Sequence, residues 1–574
     1  MERFVLCFII FPIIFIGGSD SCKEKPIIKL SDGSIQGIRE TSNSGKPYYA
    51  FREIPYAEPP IGELRFSEPI SPKKWKGVKE TVNITKICLT QLPPLIPYEL
   101  QYYTDDKREN EDCLYLNVFT PQLPYKENIT GFPVYVYIYG GFFIYGNPTG
   151  YDFQYLVDEG VVVVSFNYRM NSLGFLSTED NVFPANLGLK DQLMVLKWVN
   201  KNIELFGGDP TKVTLGGHSA GAILTGYHLL SKKSKGLFRS AIVQSGTPLM
   251  SFGYIANPRK FAFMLGEKLS RDFHSSMNTS QDLLKLLRSL PGKEVAQVNL
   301  GNIEGFDYKL VEFRSTWAPT KEDPNYEHAF LTDDTMHENF KKGHFNQVPV
   351  MIGITDEEFK DYGNLTRAGL LVDSNYSLLI DPVVPLKKEN ILPMVNEIKN
   401  IYCNTNRFAQ NATGMAKILS DILYGIPIMT NAKLMSKYTD VYFYQFGYLG
   451  PINGINFWKQ FSTYGLKGLG NCAHGDELPL LYDFNSIRPV EPPNSLDILV
   501  RKRLVKLWVN FIKYGNPTPE EDPLLLNITW QKMTPTANNY FNIDAKVDLK
   551  KNMTYFNEWL EKVDKYFENP RRWY

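Results

Sequence analysis

The sequence predicts an α/β architecture built on a large, mainly parallel sheet with helices on both faces. Short apolar runs rich in β-branched and aromatic residues recur at 134–139, 161–166, 213–215, 241–244, 348–354 and 441–446. Runs of this length without polar alternation read as strands buried on both sides. Helical stretches lie between several of them, at 187–202, 221–230 and 498–514, and strand alternating with helix implies parallel strands joined by crossovers. The composition agrees: of 574 residues, 43% are apolar, 14% aromatic and 22% charged, which suits a large packed globule and excludes disordered, collagen-like and coiled-coil chains. No internal repeat and no Pro- or Gly-rich linker divides the chain, so residues 19–574 are expected to form one domain.

In chain order, the first element is a leader. Met1-Glu2-Arg3 precedes an uncharged apolar run at 4–16 that ends in Gly17-Gly18-Ser19, the pattern of a cleaved signal peptide spanning 1–18. The run is shorter than the roughly 20 residues of a membrane span. The final Arg-Arg-Trp-Tyr is neither a retention signal nor an anchoring tail, so a secreted chain without a membrane anchor is expected. Sequons for N-glycosylation stand at Asn83, Asn128, Asn278, Asn364, Asn375, Asn411, Asn527 and Asn552. Of the six cysteines Cys7 lies in the leader; Cys22, Cys88, Cys113, Cys403 and Cys472 are an odd number, so at least one thiol is free or pairs elsewhere. Lys plus Arg and Asp plus Glu are both 62, for a formal charge of zero, which gives no basic excess for nucleic acid.

Chemistry enters at 213–227. Val213-Thr214-Leu215 reads as a strand, Gly216-Gly217-His218-Ser219-Ala220-Gly221 as a tight turn, and the apolar residues after it as a helix. Gly217-His218-Ser219-Ala220-Gly221 is G-x-S-x-G, in which a serine on a strained turn needs small residues on either side where backbones pass closely. Ser219 also stands at a helix N-terminus, where free N–H groups favour developing negative charge.

A serine hydroxyl needs a base, and the histidines are His218, His228, His274, His328, His337, His344 and His474. In α/β-hydrolases the order is serine, acid, histidine, which excludes His218. His228 follows the serine on the same helix, leaving no room for an acid. His474 stands late in the chain in a Gly-flanked loop and is the candidate. For the acid, the strand at 348–354 ends at Thr355-Asp356-Glu357-Glu358. Glu358 is preferred, with Asp356 and Glu357 left open by spacing.

These residues belong to a wider pattern. With IPYAEPPIGELRF at 54–66, EDCLYLNV at 111–118, FNYR at 166–169, NLGLKDQ at 186–192, FGGDP at 206–210 and HGDEL at 474–478, the chain resembles the type-B carboxylesterases of the cholinesterase group, most closely a secreted insect-type esterase. The resemblance covers nearly the whole mature chain. It implies the α/β-hydrolase fold, Ser219 as nucleophile, Glu358 as acid, His474 as base, and a Cys88–Cys113 disulfide; a Cys403–Cys472 pair is left open. It implies an oxyanion hole from the N–H groups of Gly141, Phe142 and Ala220, and Ser245 as a support for the acid. No metal or organic cofactor is implied, and the partner is a small-molecule ester.

Two residues depart from that pattern. Phe142 stands where the family has a third glycine, so its ring either narrows the acyl pocket or turns an oxyanion donor away. His218 replaces the glutamate that often precedes the serine, removing a carboxylate from the cleft floor. The 24 residues between Cys88 and Cys113 include Tyr98, Tyr102 and Tyr103 but no tryptophan, the aromatic face that holds choline in cholinesterases. The expected reaction is hydrolysis of neutral, hydrophobic carboxylic esters through an acyl-serine. The alternative is a silent or slow-turnover member of the fold that binds or sequesters ligands, against which the retained Ser219, Glu358 and His474 argue.

Overall fold

In the computed structural model the apolar runs become strands of one sheet. The structure describes residues 25–91, 106–124, 131–300, 316–359, 365–379, 387–403, 405–453, 472–483, 494–551 and 553–566. The leader, Cys22, Tyr98, Tyr102, Tyr103, Asn128, Asn364 and Asn552 lie outside them.

Besides two smaller sheets of three and two strands, the described residues form one large sheet, whose strands are β1 (Ile38–Thr41), β2 (Pro47–Pro55), β3 (Tyr115–Thr120), β4 (Phe132–Ile138), β5 (Val162–Phe166), β6 (Gly208–His218), β7 (Ser240–Gln244), β8 (Val350–Thr355), β9 (Val441–Phe446), β10 (Asn539–Ile543) and β11 (Val547–Lys551). They lie in the order β11-β10-β9-β8-β7-β6-β4-β5-β3-β2-β1. From β5 through β4 and β6 to β10 every neighbour is parallel. The flanks β3, β2, β1 and β11 are antiparallel. The sheet is therefore parallel at its centre and mixed overall. Every residue of β5, β7 and β8 is buried, because helices cover both faces, and this is why these strands show no polar alternation. The β11 edge carries Asp548, Lys550 and Lys551 largely in solvent, charges that discourage pairing with another chain.

Three helices set the site. Helix α1 (Leu187–Asn202) has the predicted bounds. Helix α2 (Ala220–Leu230) follows Ser219 directly and lies against β6 and β7. Helix α3 (Ser495–Tyr514) packs on β4 and β6. It begins earlier than its apolar stretch because Asn494 and Asp497 form a reciprocal capping box, and it ends at Gly515 in the left-handed conformation (φ 68°). In the sheet register His218 faces Gln244, which faces Gly353, so the carboxyl ends of β6, β7 and β8 lie side by side. Cys88 and Cys113 are joined as a disulfide. Cys403 and Cys472 are buried and not joined to each other.

Candidate active site

The turn after β6 carries Ser219 at φ 58°, ψ −125°, a conformation that side chains other than glycine avoid and that is held only where the surroundings over-determine it. Here they do. The Ser219 N–H donates to Gln244 O at 2.8 Å and its carbonyl accepts from the Ile223 N–H at 3.0 Å. A Cβ on Gly217 would meet Gly221 O at 2.4 Å, and one on Gly221 would meet Ile138 O at 2.1 Å. Both glycines of the motif are thus demanded by close backbone passage. Ala220 opens α2, so its N–H is one of the donors without an intrahelical acceptor.

The acid turn follows β8. Glu358 Oε2 lies 2.5 Å from His474 Nδ1, and the His474 N–H donates to Glu358 O at 3.2 Å. The other carboxylate oxygen, Oε1, accepts from Ser245 Oγ at 2.6 Å and from the Thr355 N–H at 2.8 Å. The two side chains are only 5% and 1% exposed. The two preceding residues of the turn reach the Cys472 backbone instead, Asp356 through its carboxylate and Glu357 through its N–H. Asp356 Oδ1 accepts from the Cys472 N–H at 2.7 Å, and the Glu357 N–H donates to Cys472 O at 3.1 Å, so this turn also clamps the loop that carries His474. His228 sits inside α2, with Nδ1 2.8 Å from Ser234 Oγ and Nε2 3.1 Å from Gln192 Oε1, a packed helix residue as its spacing suggests.

Burial disfavours charge on both partners of the pair. It pushes the Glu358 carboxyl up to about 7 and the His474 imidazole down to about 3. His218 is likewise held well below the usual histidine range, by burial first and by His474 second.

The loop at 140–143 crosses over the serine: a Cβ on Gly140 would stand 2.6 Å from His218 O and 2.9 Å from Ser219 Cβ. Gly141 has φ 120°, and a Cβ there would strike Tyr145 O at 2.0 Å. Phe142 and Phe143 follow at φ 52° and 64°. Phe142 therefore adopts the left-handed conformation that the missing glycine would take freely. Its ring lies 5.9 Å from Phe252 and 6.4 Å from Tyr145. Phe252 is in turn 5.8 Å from Tyr424, whose ring is 4.9 Å from His474. A row of aromatic rings thus runs from this loop to the imidazole. Sequence reasoning missed Phe252 and Tyr424. Tyr424 sits on a π-helical turn, Asp421–Gly425, a distortion frequent at functional sites, and its only local sign is Pro427 just inside the next helix.

Residues 24–559 match the model of the carboxylesterase family. The chain is a carboxylesterase-family enzyme. Esterase FE4 of Myzus persicae is 32% identical over 90% of this chain and 89% of its own length. A juvenile hormone esterase of Tribolium castaneum is 31% identical over 88% and 86%. The crystal structure of juvenile hormone esterase from Manduca sexta, with OTFP covalently attached, superposes with a TM-score of 0.80 at 25% identity, covering 94% of this chain and 99% of that one. The α/β-hydrolase fold and carboxylic-ester hydrolysis follow from this membership.

The described sequons differ in access. Asn83, Asn375 and Asn527 are exposed and Asn278 is half-buried. Asn411 caps a helix: its Nδ2 donates to Cys403 O at 2.8 Å and its Oδ1 accepts from the Gly414 N–H at 2.8 Å, so a glycan there would be attached to a nitrogen already engaged with Cys403.

Proposed function

We propose that this carboxylesterase cleaves neutral, hydrophobic carboxylic esters, with Ser219 as nucleophile, His474 as general base and Glu358 as the acid that orients it. The observation that carries the reading is the continuous hydrogen-bonded line Ser245–Glu358–His474, whose imidazole packs against His218, the residue before a serine held on a strained strand-to-helix turn. His474 takes the Ser219 proton through Nε2 while Glu358 holds Nδ1–H, and the serine oxygen attacks the ester carbonyl. The N–H groups of Gly141, Phe142 and Ala220 hold the oxyanion. The alkoxide leaves with the proton from His474, and water activated by the same imidazole releases the acid. A covalently attached ligand in the Manduca enzyme agrees with chemistry that passes through an acyl-enzyme.

The preference for neutral esters rests on the absence of tryptophan between Cys88 and Cys113 and on an uncharged His218 at the cleft floor. We infer further that the protein is secreted and carries glycans at Asn83, Asn375 and Asn527. Among the described residues no helix is long and apolar enough to cross a membrane.

The test is labelling with a phosphorylating serine reagent alongside turnover of aryl esters. Ser219 should be the labelled residue, and Ser219→Ala should abolish labelling and reduce turnover by at least about 10⁴-fold. Equal hydrolysis by Ser219→Ala rejects the assignment. A stoichiometric burst followed by almost no steady turnover would favour the sequestering alternative.

A further inference from the structure

His218 ends β6, one residue before Ser219, and is only 6% exposed. Its ring centroid lies 4.4 Å from that of His474 at an interplanar angle of 37°. Its Nε2 is buried and has no hydrogen-bond partner among the described residues. Opposite it stands Gly475, at φ 81°, where a Cβ would approach His218 Cε1 to 3.3 Å and Nε2 to 3.5 Å. The loop carrying His474 is therefore shaped to admit the His218 ring. No group but the neighbouring imidazole makes use of that ring in the mechanism above.

On the triad reading, we propose that His218 is a positioning residue for the base: an uncharged ring that braces the His474 imidazole, at a position whose charge the His474–Glu358 pair reads directly. The other groups facing His474 are Glu358 at Nδ1 from the turn after β8 and Tyr424 from the π-helical turn. Its own loop contributes Asp476, which accepts from the Ala473 N–H at 2.8 Å, and Glu477, which accepts from Gln244 Nε2 at 3.2 Å. Burial pushes Glu477 up to about 8, which keeps it largely uncharged at neutral pH. The acid turn adds Asp356 and Glu357, both tied by hydrogen bonds to the backbone of Cys472. None of these carboxyl groups is removed when residue 218 is changed, so the variants are compared over the same set of neighbours, of which Glu358 and Glu477 titrate within the range measured.

The experiment measures kcat and KM on a neutral aryl ester from pH 5 to 10 for the wild type, His218→Gln and His218→Glu, with active sites counted by the phosphorylating reagent. Gln and Glu have nearly the same shape and differ in charge. Loss of the bracing ring in His218→Gln should lower kcat about ten-fold with little change in KM. The acid limb of His218→Glu should lie about 1–3 pH units above that of His218→Gln, because a carboxylate beside the imidazole favours its protonated form. Coincident limbs in two fully titratable variants overturn the proposal. If His218→Glu yields no titratable protein, His218→Asp carries the same charge in a smaller side chain and is judged by the same criterion. Unchanged turnover by His474→Ala would instead overturn the triad reading, so the two failures are distinguishable.

Discussion

At Glu358 the carboxylate is divided between two tasks: Oε2 meets the imidazole and Oε1 is held by Ser245 and the Thr355 N–H. The pair exchanges its last proton as a unit, and the base-competent form has neutral His474 with ionised Glu358. With burial pushing the carboxyl up to about 7, activity should rise as pH rises through about 7. The Ser245 hydroxyl favours the ionised form, so Ser245→Ala should move that limb upward by about one pH unit and lower kcat/KM at pH 7 about five-fold. Ser245 has φ 53°, a backbone cost that alanine shares, so the change reports the hydroxyl; a limb that stays in place rejects this role. Legibility at this scale was uneven. The strand-to-helix turn at Ser219 was legible because strand, turn glycines and helix are local. Glu358 did not, because spacing treats three adjacent carboxyls alike, and only the path of the turn after β8 decides which one reaches the imidazole. The His218–His474 contact had no local trace, since it joins a strand end to a loop far along the chain.

The loop at 140–143 and the π-helical turn bring their aromatic rings into one row that ends at His474. Phe142 holds a left-handed backbone that costs about 1–2 kcal/mol relative to glycine, and the cost is offset where its ring packs near Phe252 and Tyr145. Phe142→Gly relaxes the backbone and vacates the ring volume at one end of the aromatic row. The ratio of kcat/KM for long over short acyl esters should then rise about ten-fold or more, the scale of adding apolar contact in a pocket. An unchanged ratio means that the ring does not border the acyl chain. The central strands were readable because they are buried on both faces: 441–446 matches β9, and 187–202 matches α1. Strands β1, β2, β3, β10 and β11 were not read. Several mix polar side chains into the run, as where Asn117 of β3 accepts from the Glu53 N–H and donates to Ser165 Oγ, and β11 is half in solvent.

Across the whole molecule, motifs far apart in sequence meet as buried ion pairs. Arg169 of FNYR holds Asp191 of NLGLKDQ through two bonds of 2.9 and 2.7 Å, with side chains 3% and 0% exposed. Arg65 holds Glu111 through two bonds of 2.6 Å and also donates to Leu287 O and Leu290 O. The motifs were legible as strings, whereas their pairing depends on the chain crossing the sheet. The second pair stands two residues from Cys113, so the segment around the disulfide is anchored both covalently and electrostatically. The Cys88–Cys113 bond closes a loop of sequence separation 25, and in the chain-entropy account a loop of that size stabilises the fold by roughly 3–4 kcal/mol. The Cys88→Ser/Cys113→Ser variant should therefore unfold at a lower urea concentration. It should keep the native near-UV circular dichroism in buffer, because the Arg65–Glu111 pair still ties the segment to the chain near Leu287 and Leu290. Adding Arg65→Leu to that variant should lower the midpoint further, since Glu111 is left part-buried without its partner. Equal midpoints for the wild type and the disulfide variant would mean that the ion pair alone constrains the segment, and would reject the covalent contribution.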